Sequence, residues 1–110
     1  MLSYDDLYTS DSILNIYKNM YLEIVTPEAV LFSGEVTSVS VPGVEGEFQM
    51  LNNHAPIISL LTKGNVKVYG TMNLEEEVAD KFKKENGVTL LPINSGTIEM
   101  KDNKIIVLAD

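Results

Sequence analysis

The stretch VPGVEGEFQMLNNHAP, residues 41–56, decides how this chain folds. Its two prolines, two glycines and two asparagines are too many interruptions for a helix. Between them, residues 48–51 are apolar enough to form a brief strand. The stretch also carries the chain's only histidine, His54, and two carboxylates, Glu45 and Glu47. A tightly turned segment with charged groups at its bends is suited to presenting those groups to another molecule.

The composition describes one small, acidic domain. The 110 residues suffice for a single hydrophobic core, and 45% of them are hydrophobic. Sixteen acidic and eight basic residues give a net charge of −8. This charge argues against a nucleic-acid partner, because that binding depends on basic side chains that neutralise phosphates. There is no cysteine for a disulfide or a thiolate metal site, and no apolar run approaches the ~20 residues of a membrane span, so no direct membrane insertion is expected.

Most of the chain alternates with the period of two residues that is typical of β-strands. Strand-like runs occur at residues 21–25, 29–32, 36–41, 57–61, 66–69, 88–93, 97–100 and 104–108. Ser33-Gly34 and Pro42-Gly43 are interpreted as strand ends, and Asp102-Asn103 as a hairpin turn. Short strands separated by turn signals predict an all-β fold, a flattened β-sandwich or barrel. We assign this domain to residues 20–110 and treat residues 1–19 as an N-terminal extension, either a loose tail or a short helical turn.

Residues 74–85 depart from the β pattern. Asn73 and Glu76 are spaced as in a capping box, and Gly87 suits the left-handed position that ends a helix. Three apolar residues recur at every fourth position, on one helical face: Leu74, Val78 and Phe82. The pattern predicts one short inserted helix that lies on the sheet. We expect it to cover a sheet edge against aggregation, the alternative being contact with a partner subunit.

His54 is the one histidine that could act as a catalytic base. Neither Ser59 nor Thr62 stands in a nucleophile-elbow context. Glu45 and Glu47 lack the companion ligands of a calcium loop or of a two-histidine metal site. We therefore expect no active site, no metal and no cofactor, with His54 making a structural or interface hydrogen bond. A small ligand-binding or enzymatic β-domain that uses His54 with Glu45 or Glu47 remains the alternative.

A series of motifs resembles the N-terminal domain of the epsilon subunit of F-type ATP synthase. In order they are FSG at 32–34, PGVEGEF at 42–48, HAP at 54–56, GNVKV at 64–68, SGTIEM at 95–100 and VLAD at 107–110. The resemblance covers residues 20–70 and 94–110. It implies a ten-stranded β-sandwich without a catalytic role of its own. It also implies a peripheral position at the cytoplasmic face of the bacterial plasma membrane.

The resemblance further implies two partners, the gamma subunit and the rotor ring of c subunits. The chain would then be a central-stalk subunit of the F1 part of a proton- or sodium-translocating ATP synthase, coupling ring rotation to gamma. The residues that match the ring interface are Pro42, Glu45, Glu47, Phe48 and His54, with Glu47 matching the acidic residue that meets the ring loop. Those that match the gamma interface are Thr26, Ile58 and Ser59.

The chain departs from the family pattern in two respects. Gln49 stands where the family usually has a glycine, which leaves the backbone geometry after the turn open. The sequence ends at Asp110, where many members continue into a C-terminal helical hairpin. In the family that hairpin carries an inhibitory function and, in some members, an ATP-binding site. Neither can be assigned to these residues if the 110 residues are the complete chain.

Overall fold

The computed structural model describes residues 20–51 and 54–110, and within these ranges the chain is nearly all β. The ten strands are β1 Met20–Val25, β2 Val30–Val36, β3 Ser38–Gly43, β4 Gly46–Met50, β5 Ile57–Leu61, β6 Gly64–Tyr69, β7 Lys83–Glu85, β8 Val88–Ile93, β9 Gly96–Lys101 and β10 Lys104–Ala109. The predicted all-β fold of ten strands is therefore confirmed. The predicted N-terminal extension, residues 1–19, lies outside the described residues.

The strands form one hydrogen-bonded sheet that curls into the two layers of a β-sandwich. The first layer, sheet 1, has the order β2-β1-β10-β9-β5, and the second, sheet 2, has the order β4-β3-β6-β8-β7. β1 and β10 run parallel, whereas the other paired strands are antiparallel. The two sheets join where Gly43 of β3 pairs with Leu61 of β5. This junction places the β3–β4 hairpin beside the end of β5.

Alternation along the strands builds the core between the two sheets. In β1, for example, Met20, Leu22 and Ile24 are buried. The inward side chains of both sheets belong to one hydrophobic cluster, whose fully buried members include Leu22, Ile24, Ile98, Ile105 and Val107 from sheet 1 and Val39, Val41, Met50, Val66 and Val68 from sheet 2. A shift of one residue in any of these strands would turn its apolar set toward solvent, so the core determines the register.

The predicted helix over residues 74–85 is wrong. The segment contains a single turn of 3-10 helix, Ala79–Lys81, followed by the short strand β7. Asn86 and Gly87 have φ angles of 51° and 79°, which form a two-residue turn that pairs β7 with β8. Because this hairpin takes residues 83–85, too few residues remain for a stable helix. The three apolar residues of the predicted helical face nevertheless pack on the core: Val78 and Phe82 are buried in it, and Leu74 is partly buried against it.

One predicted strand end is also wrong, whereas a second strand end and the last hairpin are confirmed. Ser33-Gly34 lies within β2, whereas Pro42-Gly43 are the last two residues of β3. Proline is tolerated in β3 because the Pro42 position lies beyond the residues that pair with β6. The Asp102-Asn103 turn joins β9 to β10, and both residues have positive φ angles, 54° and 61°.

Candidate protein-interaction surfaces

The β3–β4 hairpin provides the first candidate surface. Gly43 pairs with Gly46, so Val44 and Glu45 alone form the turn. Gly46 has a φ angle of 123°, which side-chain-bearing residues rarely adopt. Val44 is 61% exposed, and Glu45 is exposed as well. The hairpin therefore ends in a tight tip that projects into solvent.

Close packing holds this hairpin against the rest of the domain. A Cβ atom on Gly43 would lie 2.6 Å from the Phe48 ring, so the half-buried ring covers the glycine directly. The carbonyl oxygen of Pro42 accepts a hydrogen bond of 2.8 Å from the Thr62 N–H. Pro42 and Phe48 are partly buried at the base of the tip, whereas Glu45 and Glu47 are exposed. Gln49 fits the ordinary extended backbone of β4.

Glu47 forms an ion pair within the domain. The Lys67 Nζ lies 3.3 Å from the Glu47 Oε1, and the two side chains are 36% and 48% exposed, respectively. Lys67 belongs to β6, which lies on the opposite side of β3 from β4. The lysine therefore reaches across β3 to the carboxylate. Sequence analysis did not find this partner, because only the sheet order brings residues 47 and 67 together.

His54 lies away from the hairpin tip. β4 carries the chain from the tip at Gly46 to Met50, and the His54 N–H donates to the Leu51 carbonyl oxygen over 3.1 Å. The imidazole Nδ1 lies 2.7 Å from the Ala55 carbonyl oxygen and donates to it. The structure therefore separates His54 from Glu45 by the whole length of β4. It does not assemble the histidine–glutamate site of the enzymatic alternative.

The outer face of sheet 1 provides the second candidate surface. Five paired residues, one on each strand, cross this face in a row that we call the apolar row: Val30, Val25, Leu108, Thr97 and Leu60. Leu60 is 63% exposed, Val30 54% and Leu108 51%. Ile58, at the next outward position of β5, is 77% exposed. An exposed apolar strip of this kind is typical of a surface that another protein covers.

The three residues predicted to face gamma have different environments. Ile58 lies on the outer face of sheet 1, beside the apolar row. Ser59 follows it in the strand and points to the opposite side, where it lines a depression with the β3–β4 hairpin. Thr26 closes the turn between β1 and β2, where its N–H donates to the Ala29 carbonyl oxygen over 2.8 Å. Sequence analysis missed Leu60 and Leu108, although their outward alternation was a usable signal.

The two candidate surfaces are joined through a short path. Leu60 of the apolar row precedes Leu61, and Leu61 pairs with Gly43 at the base of the hairpin tip. The Thr62 N–H then donates to the Pro42 carbonyl oxygen over 2.8 Å, so the end of β5 is hydrogen-bonded to the base of the hairpin. The base of the hairpin is therefore attached to the end of β5 by direct backbone pairing.

The described residues, 20–51 and 54–110, contain neither a metal-binding cluster nor a membrane-spanning helix. No group of three or more histidine, aspartate or glutamate side chains among them is placed to hold a metal ion. In the same part of the chain, no helix is long and apolar enough to cross a membrane. The exposed features that remain are the acidic hairpin and the apolar row, and both are suited to binding proteins.

Comparison with known proteins agrees with this fold. Residues 19–110 match the family model described as the ATP synthase, Delta/Epsilon chain, beta-sandwich domain. The chain is 41% identical over 91 residues to the ATP synthase epsilon chain of Campylobacter concisus, covering 83% of this chain and 60% of that protein. It is 38% identical over 93 residues to the ATP synthase epsilon chain of Chlorobium limicola, covering 84% of this chain and 91% of that protein.

Solved structures share the fold at lower identity. A chain in the cryo-EM structure of the Euglena gracilis mitochondrial ATP synthase, with OSCP, F1 and c-ring, superposes with a TM-score of 0.64 at 17% identity; the match covers 84% of this chain and 51% of that one. A chain of the Tetrahymena thermophila mitochondrial central stalk and c-ring gives a TM-score of 0.58 at 15% identity, covering 82% and 62%. The family model and the sequence matches show that the chain belongs to the ATP synthase delta/epsilon family, through its β-sandwich domain.

Proposed function

We propose that this chain is a non-catalytic central-stalk subunit of the F1 part of a proton- or sodium-translocating ATP synthase, where it couples rotation of the rotor ring to the gamma subunit. A coupling subunit must bind two partners at once and keep the two contacts in a fixed relation. The observation that carries the proposal is the junction between β5 and the β3–β4 hairpin. It links the apolar row and the acidic tip through the pairing of Leu61 with Gly43.

The gamma subunit is the proposed partner of the apolar row and of Ile58. Burial of apolar surface is the main favourable term in protein association, at about 25 cal/mol per Å². Leu60, Leu108 and Val30 supply that surface, because their side chains are already exposed and the core need not open. Thr26 follows Val25 of the row and would lie at the margin of this interface. Ser59 faces the hairpin instead, so in this proposal it supports the hairpin rather than contacting gamma.

The rotor ring is the proposed partner of the hairpin. Glu45 and Glu47 supply carboxylates. Pro42 packs against Gly64 of β6, and the Phe48 ring covers Gly43 within the hairpin. Exposed ion pairs each contribute only ~0.2–1 kcal/mol, so several such contacts must act together. His54 lies at the other end of β4. It belongs to a ring interface only if a different ring loop reaches it.

The proposal places the chain peripherally, at the cytoplasmic face of a bacterial plasma membrane. It needs no insertion into the bilayer, because the ring supplies the membrane-spanning part. The net charge of −8 suits contact with basic and polar groups on protein loops rather than with anionic lipid headgroups.

The test is purification of the tagged full-length chain from the cells that make it, after mild detergent extraction of their membranes. We expect the catalytic head, gamma and the c-ring to co-purify with it in constant proportion. Membranes of cells that lack the chain should lose ATP-driven ion pumping and regain it when the purified chain is added. A chain that elutes without these subunits, or pumping that is unaffected by its loss, would overturn the proposal.

A further inference from the structure

The Glu47 carboxylate is not a lone anion on the hairpin. Lys67 lies 3.3 Å from it, and the two charges are half exposed on the outer face of sheet 2. Pro42, which pairs with Glu47 in the β3–β4 ladder, lies between the two strands that carry the charges. The hairpin therefore presents a negative and a positive group side by side on a firmly held backbone.

This arrangement changes what the hairpin attracts. Opposite charges at this separation largely cancel at longer range, so a single basic group is drawn only weakly toward the pair. A basic group that approached Glu47 alone would also be repelled by Lys67. A partner that offers both a cation and an acceptor oxygen avoids this repulsion, because each of its groups faces an opposite charge.

Both members of the pair retain bonding capacity for such a partner. A carboxylate accepts several hydrogen bonds through two oxygens, and the contact with Lys67 uses one oxygen, Oε1. The Lys67 ammonium has three N–H donors, and it remains 36% exposed. A partner can therefore bind without first breaking the internal ion pair.

We infer that Glu47 and Lys67 form a two-part ionic site that selects a protein loop with a basic group and an acceptor oxygen side by side. Lys67 is then a specificity-determining contact, which the sequence motifs did not indicate. The inference rests on the proposed function, in which the loop belongs to the rotor ring. The paired geometry also gives the site a polarity, since exchanging the two charges would preserve the pair and reverse the pattern that the partner meets.

The test uses the full chain and the purified, detergent-solubilised c-ring of the same ATP synthase, with binding measured by surface plasmon resonance. Lys67→Met should weaken binding by about two- to fivefold, the fold-change expected for one exposed ionic contact. Lys84→Met is the matched control. Lys84 is an exposed lysine on β7, at the far edge of sheet 2 from the hairpin, and its loss changes the net charge equally.

The charge exchange Glu47→Lys with Lys67→Glu is the decisive variant. It should fold like the original chain, because the ion pair re-forms, yet bind the ring at least about tenfold more weakly, because like charges then face each other. Unchanged binding by the exchanged chain, or tighter binding by Lys67→Met, would overturn the inference while leaving the proposed function intact. Failure of the unmodified chain to bind the ring would instead refute the ring contact of the proposed function.

Discussion

Leu60→Ala tests the proposed gamma interface without disturbing the core. Leu60 is 63% exposed on the outer face of sheet 1, whereas its neighbour Leu61 is 3% exposed. Full burial of a leucine side chain contributes about 1.5–3 kcal/mol, and roughly two-thirds of that remains to be gained when a partner covers Leu60. The substitution should therefore weaken binding to gamma by about 1–2 kcal/mol, or about 5- to 30-fold.

The assay is binding of the full chain to an F1 head that contains gamma and has been stripped of this subunit. Denaturant unfolding of each variant, measured in parallel, reports on folding. Leu60→Ala should leave the free energy of unfolding within about 0.5 kcal/mol of the original, as for other surface substitutions. Leu61→Ala should lower that free energy by about 2–5 kcal/mol, because it leaves a cavity in the core.

Val44→Ala supplies the matched surface control. Val44 is 61% exposed, nearly as much as Leu60, but it lies on the hairpin tip rather than on sheet 1. Its truncation should leave the affinity for the stripped head unchanged. If Leu60→Ala bound normally, or if Val44→Ala weakened binding equally, the apolar row would not be the gamma interface and the argument from exposure would fail.

Three further substitutions test the hairpin and the backbone. Glu47→Lys should weaken binding to the c-ring at least about fivefold. It should change the free energy of unfolding by less than about 1 kcal/mol, since it replaces an exposed ion pair with Lys67 by an exposed pair of like charges; an unfolded variant would make Glu47 a structural residue. Gly96→Ala places a Cβ 2.3 Å from the Leu108 carbonyl oxygen. It should lower the free energy of unfolding in urea by about 1–3 kcal/mol, and an unchanged free energy would contradict that close packing. A Cβ on Gly87 would meet no nearby atom, but the residue has a φ angle of 79°. Gly87→Ala should therefore lower the free energy of unfolding by about 1–2 kcal/mol, and Gly87→Asn should lower it less, because asparagine tolerates this conformation.

Period-two alternation was enough to predict the β fold, because every second residue of a strand is apolar when its sheet is buried on one face. Leu22 and Ile24 in β1, and Val66 and Val68 in β6, illustrate this and are all fully buried. Strand ends were harder to predict. A glycine breaks the local pattern, yet the strand continues through it where the neighbouring ladder accommodates it. Gly34 does this within β2, where it pairs with Leu22 and lies against the Phe32 ring.

The segment at residues 74–85 shows two local signals in competition. Apolar residues at every fourth position indicated a helix, whereas Asn86-Gly87 is a strong signal for a two-residue hairpin. The hairpin prevailed because β7 gains a ladder with an existing strand, β8, while an isolated helix of this length is marginal. Val78 and Phe82 of that pattern are buried all the same, and Leu74 is partly buried against the core. Periodicity alone therefore identified which side chains are in the core, but not the backbone that places them there.

Motif matching assigns single positions to an interface, but it does not say which of them share a surface. Ile58 and Ser59 match neighbouring positions of one partner interface, yet adjacent residues of a strand point to opposite faces. The strand geometry instead groups Ile58 with Leu60, and the sheet order then extends the surface to Leu108 on β10. Glu47 and Lys67 make the same point for charge, since twenty residues separate them in sequence and 3.3 Å in space. A surface that spans several strands is a property of their register, so it can be read only after the order of the sheet is known.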